Sequence, residues 1–75
     1  MPEKILREVW MEILKASEGD FYEIGGTSMD AIMIESALLQ KGWFLSAADI
    51  LQNPKIHDMA ALMIPADEID WEDET

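Results

Sequence analysis

Apolar residues recur with the period of an α-helix along most of this chain, and no stretch alternates between apolar and polar residues as a half-buried strand does. In the first segment they come in pairs four positions apart: Ile5, Leu6, Val9, Trp10, Ile13 and Leu14. This spacing places one apolar stripe along the side of a helix. We therefore predict a first helix from about Pro2 to Ala16, ended by the turn residues up to Gly19.

The second helix is predicted from a capping pattern. Thr27 and the acidic Asp30 three positions later have the spacing of a capping box, which makes Thr27 the N-cap and Ser28 the first helical residue. Lys41 followed by Gly42 is a typical helix end. The expected buried face of this helix consists of Met29, Ile32, Met33, Ala37 and Leu38 or Leu39.

Two shorter helices complete the pattern. Ser46 opens a second capping pattern and predicts a short third helix over about 46–52. The residues Asn53 and Pro54 predict the start of a fourth helix, which Pro65 stops. The fourth helix is expected to bury Ile56, Met59, Ala60 and Met63.

The core of a 75-residue chain is small, and its stability is marginal because the entropy lost on ordering the chain nearly cancels the gain from apolar burial. Disulfides are excluded by the absence of cysteine, and the lone His57 cannot form a tetrahedral zinc site. Compact helix packing remains. We predict one all-α domain over residues 1–65, a four-helix bundle with a short third helix and a long loop between helices 1 and 2. Residues 66–75 form an acidic tail, in which Ile69 and Trp71 could still contact the body.

The formal net charge of −11 restricts the possible partners. Nucleic acids and anionic membrane surfaces both need Lys and Arg opposite their phosphates, so neither is expected as a partner. The acidity fits either partners with basic docking surfaces or a need for solubility alone, and composition does not separate the two. No apolar run approaches the roughly 20 residues of a membrane span, and the charged N-terminus is unlike a signal peptide, so we expect a cytoplasmic protein.

The serine of the segment GGTS is open to four interpretations: a helix cap, a phosphate-loop residue, a nucleophile or an attachment point. A phosphate loop is not supported because the segment has no lysine. A hydrolase elbow needs a second glycine after the serine and a strand before it, and both are lacking. His57 would be the only base, and we expect it at the surface. No EF-hand pattern occurs, so we expect no catalytic and no metal-binding residue.

A cap and an attachment point therefore remain open for Ser28. In the first turn of a helix the serine is exposed beside N–H groups that lack intrahelical partners, and the helix dipole favours negative charge there. A phosphodiester on Ser28 would be well placed, and Gly25 and Gly26 would leave the approach to it open. The alternative is that Thr27 or Ser28 only caps the helix of an unmodified acidic interaction module.

Two motifs extend over most of the chain. DFYEIGGTSMDA supplies Asp20, Phe21, Tyr22, Ile24, Gly25, Gly26, Ser28 and Ala31, of which Phe21 and Ile24 are expected to anchor the loop on the core. GWFLSAADILQNPKIHDMA supplies Gly42, Leu45, Ser46, Asp49, Ile50, Pro54, Ile56 and Ala60. In this order and spacing they resemble the phosphopantetheine attachment motif and downstream helices of carrier proteins, in particular the peptidyl carrier domains of nonribosomal peptide synthetases. The resemblance spans roughly Ile5 to Met63, and Met29 and Met59 stand where the family has leucine.

The resemblance implies an acyl-carrier-protein-like fold and a carrier that is not an enzyme. A phosphopantetheinyl transferase would move 4′-phosphopantetheine from coenzyme A to the Ser28 hydroxyl, beside Gly25, Gly26 and Thr27. The thiol of this arm would hold an aminoacyl, peptidyl or acyl group as a thioester. The implied partners are the transferase, an adenylating or acyl-loading enzyme, and downstream condensing, modifying or releasing enzymes. We expect a monomer, and candidates for docking on these partners are Met29, Ile32, Met33 and Phe44.

Two positions depart from the family pattern. Thr27 stands where His or Asp is common in the family. Glu35-Ser36 stands close to the position at which many peptidyl carriers have a basic residue, so the docking charge could be reversed. The Asp-Ser-Leu motif of fatty-acid-type carriers is absent, although the acidity resembles theirs. The type of carrier, its cargo and its pathway stay open, as does whether this is a free-standing carrier or a domain of a synthetase.

Overall fold

The computed structural model describes residues 2–69, and four helices make up most of that part of the chain. Helix α1 spans Pro2–Leu14, α2 spans Ser28–Gln40, α3 spans Ala47–Gln52, α4 spans Ile56–Leu62, and a 3-10 turn spans Ala66–Glu68. The all-α prediction, with a short third helix and a long first loop, is confirmed. The predicted contact of Trp71 and the last part of the predicted acidic tail lie outside the described residues.

Helix α1 ends two residues earlier than predicted, at Leu14. Lys15 has a left-handed backbone conformation with a φ of 61°, which a right-handed helix cannot continue. The predicted apolar stripe does face inward. Its fully buried residues are Leu6, Val9 and Trp10, and its other members pack partly against the core.

The expectation that no strand forms was wrong for two short segments. Strands β1, Trp43–Phe44, and β2, Ile64–Pro65, pair in an antiparallel ladder with Phe44 opposite Ile64. Helix α4 therefore ends before Pro65 is reached. Strands of two residues are too short to show an alternating pattern in the sequence, and proline is tolerated at the edge of such a ladder.

The core draws hydrophobic residues from all four helices and from the segments between them. Its buried members are Leu6, Val9, Trp10, Phe21, Ala31, Ile34, Leu38, Leu45, Ile50, Ile56, Met59 and Met63. Phe21 anchors the long loop as predicted, and its ring meets that of Trp10 edge to face with centroids 6.3 Å apart. Ile24, the second predicted anchor, packs against the core but is only partly buried.

The predicted buried face of α2 was largely wrong. The residues that lie in the core are Ala31, Ile34 and Leu38. The residues exposed instead are Met29, Ile32, Met33 and Leu39. Apolar residues surround this helix on nearly all sides, so their spacing alone does not indicate which side packs inward.

Helix α4 begins later than the sequence predicts. Lys55 is its N-cap, and no side chain caps the helix. The Asn53 side-chain amide instead donates to the Asp49 carbonyl oxygen at 3.0 Å, so it satisfies the end of α3. The predicted inward face of α4 is confirmed, with Ile56, Met59 and Met63 buried and Ala60 partly buried.

Candidate functional site

The loop before α2 is curled by hydrogen bonds of its own. The Asp20 carboxylate accepts from the N–H groups of Tyr22 and Glu23 at 2.9 and 3.2 Å. The Gly26 N–H donates to the Phe21 carbonyl oxygen at 2.8 Å. Asp side chains commonly form such turns by bonding the backbone two residues on. These bonds lead the chain directly to the start of α2.

Both glycines of this loop have a local structural role. Gly25 has a φ of +94°, a backbone conformation that residues with a side chain rarely adopt. At Gly26 a Cβ would lie 2.6 to 2.7 Å from atoms of the Phe21 ring, closer than real contacts allow. The two glycines therefore permit a sharp turn and close packing on Phe21.

Thr27 caps α2 as predicted, with Asp30 as its reciprocal partner. The Thr27 Oγ1 accepts from the Asp30 N–H at 3.2 Å, and the Thr27 N–H donates to Asp30 Oδ2 at 3.1 Å. Ser28 is consequently the first residue of the helix. Because Thr27 supplies the cap, the Ser28 hydroxyl is not needed for it, and within residues 2–69 this hydroxyl makes no hydrogen bond.

Ser28 is exposed at the positive end of the α2 dipole. The first backbone bond of the helix runs from the Ala31 N–H to the Thr27 carbonyl oxygen at 3.0 Å, so the N–H groups of Ser28 and Met29 lie before it. An anionic group on the serine would be favoured by these N–H groups. Asp30 opposes it by repulsion, although its carboxylate is already hydrogen-bonded to Thr27.

An apolar surface begins beside Ser28 and continues along α2. We call it the α2 surface, and its members Met29, Ile32 and Met33 are 64%, 54% and 44% exposed. Residues three and four positions apart are neighbours on a helix, so the three side chains form one patch. Three of the four predicted docking residues therefore lie together next to the serine.

Phe44, the fourth predicted docking residue, is not brought to the α2 surface. It lies partly buried in β1, after the C-terminal end of α2. Ser28 is at the other end of this 13-residue helix, which is about 20 Å long.

The α2 surface carries no charge of its own. Between Ser28 and Gln40 there is no Lys or Arg, and the acidic residues are Asp30 and Glu35. Asp30 is held in the capping box, and Glu35 Oε1 accepts from the Ala47 N–H at 3.1 Å. Glu35 thus bonds the start of α3, a contact that no local pattern predicts.

A second contact with α3 was also missed. The Tyr22 hydroxyl donates to the Leu51 carbonyl oxygen at 2.7 Å, across 29 positions in the chain. The motif marks Tyr22 only as the second of two aromatic residues. No local signal predicts a partner this far along the sequence.

Three features are absent from residues 2–69: a metal-ligand cluster, a membrane-spanning helix and a serine–histidine pair. Between residues 2 and 69, no three His, Cys, Asp or Glu side chains are grouped to hold a metal ion, and no helix is long and apolar enough to cross a membrane. His57 is exposed as predicted, and its Nδ1 lies 3.1 Å from Glu3 Oε2. It does not hydrogen-bond Ser28, so the structure does not form the pair that a serine hydrolase needs.

Comparison with known proteins agrees with this geometry. Residues 4–63 match the family described as "Phosphopantetheine attachment site". The chain is 36% identical over 70 residues to Apicidin F synthase of Gibberella fujikuroi, and 34% identical over 67 residues to Nonribosomal peptide synthetase GRA1 of Gibberella zeae. These alignments cover 84% and 80% of this chain but 1% of either relative.

A solved structure described as "Non Ribosomal PCP domain" has the same fold. It matches with a TM-score of 0.78 at 28% identity, over 85% of this chain and 88% of that one. The family match includes nearly all of the four helices and the whole loop before α2. The chain therefore belongs to the phosphopantetheine attachment family, and it is a carrier that holds its cargo on this covalent cofactor rather than an enzyme.

Proposed function

We propose that Ser28 is the residue to which 4′-phosphopantetheine is attached. The observation that carries this proposal is an exposed hydroxyl at the positive end of α2 that bonds no other residue among 2–69, where Thr27 already supplies the cap. The cradle fits a phosphodiester, since the first N–H groups of a helix favour an anion. Gly25 and Gly26 shape the approach to this hydroxyl.

Attachment forms a bond between the Ser28 Oγ and the phosphorus next to pantetheine in coenzyme A. The diphosphate P–O bond breaks, adenosine bisphosphate leaves, and the hydroxyl proton passes to a base. None of the described residues is hydrogen-bonded to the Ser28 hydroxyl, so this base belongs to a phosphopantetheinyl transferase. When bound, the arm supplies a thiol that holds an aminoacyl or acyl group as a thioester.

The partners of the carrier are the transferase, an adenylating or acyl-loading enzyme, and downstream condensing, modifying or releasing enzymes. Aminoacyl or peptidyl cargo is favoured over a simple acyl group, because GRA1 is named as a nonribosomal peptide synthetase. The chain acts as a monomer in the cytoplasm, with residues 1–65 as the carrier domain. Its net charge of −11 disfavours nucleic acid and anionic membranes as partners.

The α2 surface is where these enzymes dock, because it is apolar, exposed and next to Ser28. Asp30 and Glu35 each make a hydrogen bond within the carrier, and the three side chains of the α2 surface itself are uncharged. Glu35 is therefore not among the proposed docking residues. Phe44 stays a candidate for a second point of contact, away from the serine.

Intact-mass spectrometry after incubation with coenzyme A and a broad-specificity transferase tests the attachment proposal. The wild-type chain should gain the mass of one phosphopantetheine, and Ser28→Ala should gain none. Ser36→Ala is the matched control, because Ser36 is an exposed serine on the same helix, and it should be modified like the wild type. Modification of Ser28→Ala would overturn the assignment, and an unmodified wild type with several transferases would favour an unmodified interaction module.

A further inference from the structure

Helix α3 is held at both ends by side chains from the part of the molecule that carries Ser28. At its N-terminal end, Glu35 Oε1 on α2 accepts from the Ala47 N–H at 3.1 Å. At its C-terminal end, the Tyr22 hydroxyl in the loop donates to the Leu51 carbonyl oxygen at 2.7 Å. Both bonds engage backbone groups near helix ends, which commonly lack a partner inside the helix.

Helix α3 packs against α2 and α4, but few polar contacts besides these two bonds join it to other elements of residues 2–69. The helix has six residues, and Ile50 is the one that is fully buried. The polar contacts of Ser46 and Asn53 bond α3 to its own flanking residues. The segment just after α3 is bonded to the loop as well, because the Phe21 N–H donates to the Pro54 carbonyl oxygen at 2.7 Å. A helix this short is not stable alone, so its position depends on its packing against α2 and α4 together with its bonds to α2 and to the loop.

Tyr22 is closely connected to the attachment point. Its ring meets the buried Phe21 ring edge to face, with centroids 5.5 Å apart. Phe21 packs against Gly26 and accepts its N–H, and Gly26 is two residues before Ser28. A shift of Tyr22 relative to α3 therefore displaces the loop that delivers the serine.

We propose that α3 is a strut that fixes this loop relative to α2, with Tyr22 and Glu35 as the positioning residues at its two ends. Neither residue touches the Ser28 hydroxyl, and both act through α3. The functional consequence rests on the proposed attachment at Ser28. A transferase bound on the α2 surface then meets the hydroxyl at a fixed place, and loss of either bond lowers the rate of transfer while leaving the docking surface intact.

Transferase kinetics on three single variants and one double variant of the carrier test the strut. Tyr22→Phe removes only a hydroxyl, Glu35→Ala removes the acceptor, and Glu35→Gln keeps an acceptor oxygen. Tyr22→Phe and Glu35→Ala should each lower kcat roughly threefold to tenfold, the range expected for one hydrogen bond, with KM unchanged. Glu35→Gln should restore most of kcat.

The double variant Tyr22→Phe/Glu35→Ala is decisive. Because freeing either end releases the strut, it should lose no more than the worse single variant. If the two losses multiply, the residues act independently and the proposal is wrong. A change confined to KM, or a Glu35→Gln variant as slow as Glu35→Ala, would also overturn it.

Amide hydrogen exchange on the unmodified carrier separates this proposal from the attachment proposal. The Gly26 N–H should exchange faster in Tyr22→Phe and in Glu35→Ala, while the amides of Val9 and Trp10 in α1 stay unchanged. If the Gly26 N–H exchanges faster in both variants but the wild type is not modified at Ser28, the strut proposal is supported and the attachment proposal is wrong. If Gly26 exchange is unchanged in both variants, the strut is wrong whatever the transferase does.

Discussion

The Phe21 ring occupies the space next to Gly26, where the Cβ of any other residue would lie 2.6 Å from a ring atom. The ring is fully buried between Trp10 and the loop. Protein cores are close-packed, so it has little room to move aside. The loop can approach its anchor this closely only because position 26 has no side chain.

Gly26→Ala should lower the free energy of unfolding by about 1–3 kcal/mol, the usual cost of overpacking, as measured by urea denaturation. In a Phe21→Leu background the cost should fall, since the smaller side chain leaves space. Gly25→Ala is the contrast, because its cost comes from a φ of +94° and should not depend on Phe21. An equal cost of Gly26→Ala in both backgrounds would contradict the steric explanation.

The capping assignment predicts different effects at two adjacent positions. Thr27→Ala should lower the free energy of unfolding by about 0.5–2 kcal/mol, because it removes the acceptor of the Asp30 N–H. Thr27→Ser should keep most of the stability. Ser28→Ala should stay close to the wild type, since its hydroxyl bonds nothing among residues 2–69 and alanine is a good helix former. If Ser28→Ala costs as much as Thr27→Ala, the serine is the cap.

Ile32 and Ile34 offer a matched pair on the two sides of α2. Ile34 is fully buried, so Ile34→Ala should cost about 2–5 kcal/mol of unfolding free energy. Ile32 is 54% exposed, so Ile32→Ala should cost under about 0.5 kcal/mol but raise the KM of the transferase. Denaturation and transferase kinetics on both variants check this. An unchanged KM for Ile32→Ala would remove Ile32 from the docking surface.

Glu3 joins α1 to the start of α4. Its Oε2 lies 2.6 Å from Arg7 Nη2 and 3.1 Å from His57 Nδ1. The hydrogen bond from Arg7 lowers the pKa of Glu3 below its ordinary value of 4.5, and His57 adds to this while partial desolvation opposes it. A carboxylate whose pKa is lowered in the folded state contributes its full stabilisation at pH values above its unfolded-state pKa. This stabilisation is lost as the pH falls through its folded-state pKa.

The stability contributed by Glu3 should therefore be lost on the acid side. We predict that the unfolding free energy of the wild type minus that of Glu3→Gln shrinks as the pH is lowered through 4.5 and below. Both proteins should also carry His57→Gln, so that the difference reports Glu3 and its bond with Arg7 alone. A difference that grows as the pH falls would show that Glu3 is not stabilised as a carboxylate.

Local signals in the sequence predicted where the helices begin. Thr27 with Asp30 and Ser46 with Asp49 both form the expected caps, because a capping bond spans only three positions. Lys15 was not foreseen as the end of α1, since a left-handed conformation at a lysine leaves no mark in the sequence.

Nonlocal contacts explain what the sequence did not predict. The side of α2 that packs inward is set by the fit of Ile34 against the rest of the core, and the apolar pattern of the helix is compatible with either orientation. The bond of Glu35 to Ala47 joins two different helices, so the sequence offers no local signal for it. The serine itself could be proposed from sequence, since its motif lies within one loop and one helical turn.

The central claim is that the arm is attached to Ser28, and fragmentation mass spectrometry of the tryptic peptide 16–41 tests it most directly. Cleavage after Lys15 and Lys41 releases a peptide that contains every candidate hydroxyl of this region: Ser17, Tyr22, Thr27, Ser28 and Ser36. After incubation with coenzyme A and a transferase, the fragments should place one phosphopantetheine on Ser28 and none on Thr27 beside it. A modified fragment that excludes Ser28, or a peptide 16–41 without modification from a chain that has gained the mass, would contradict the account.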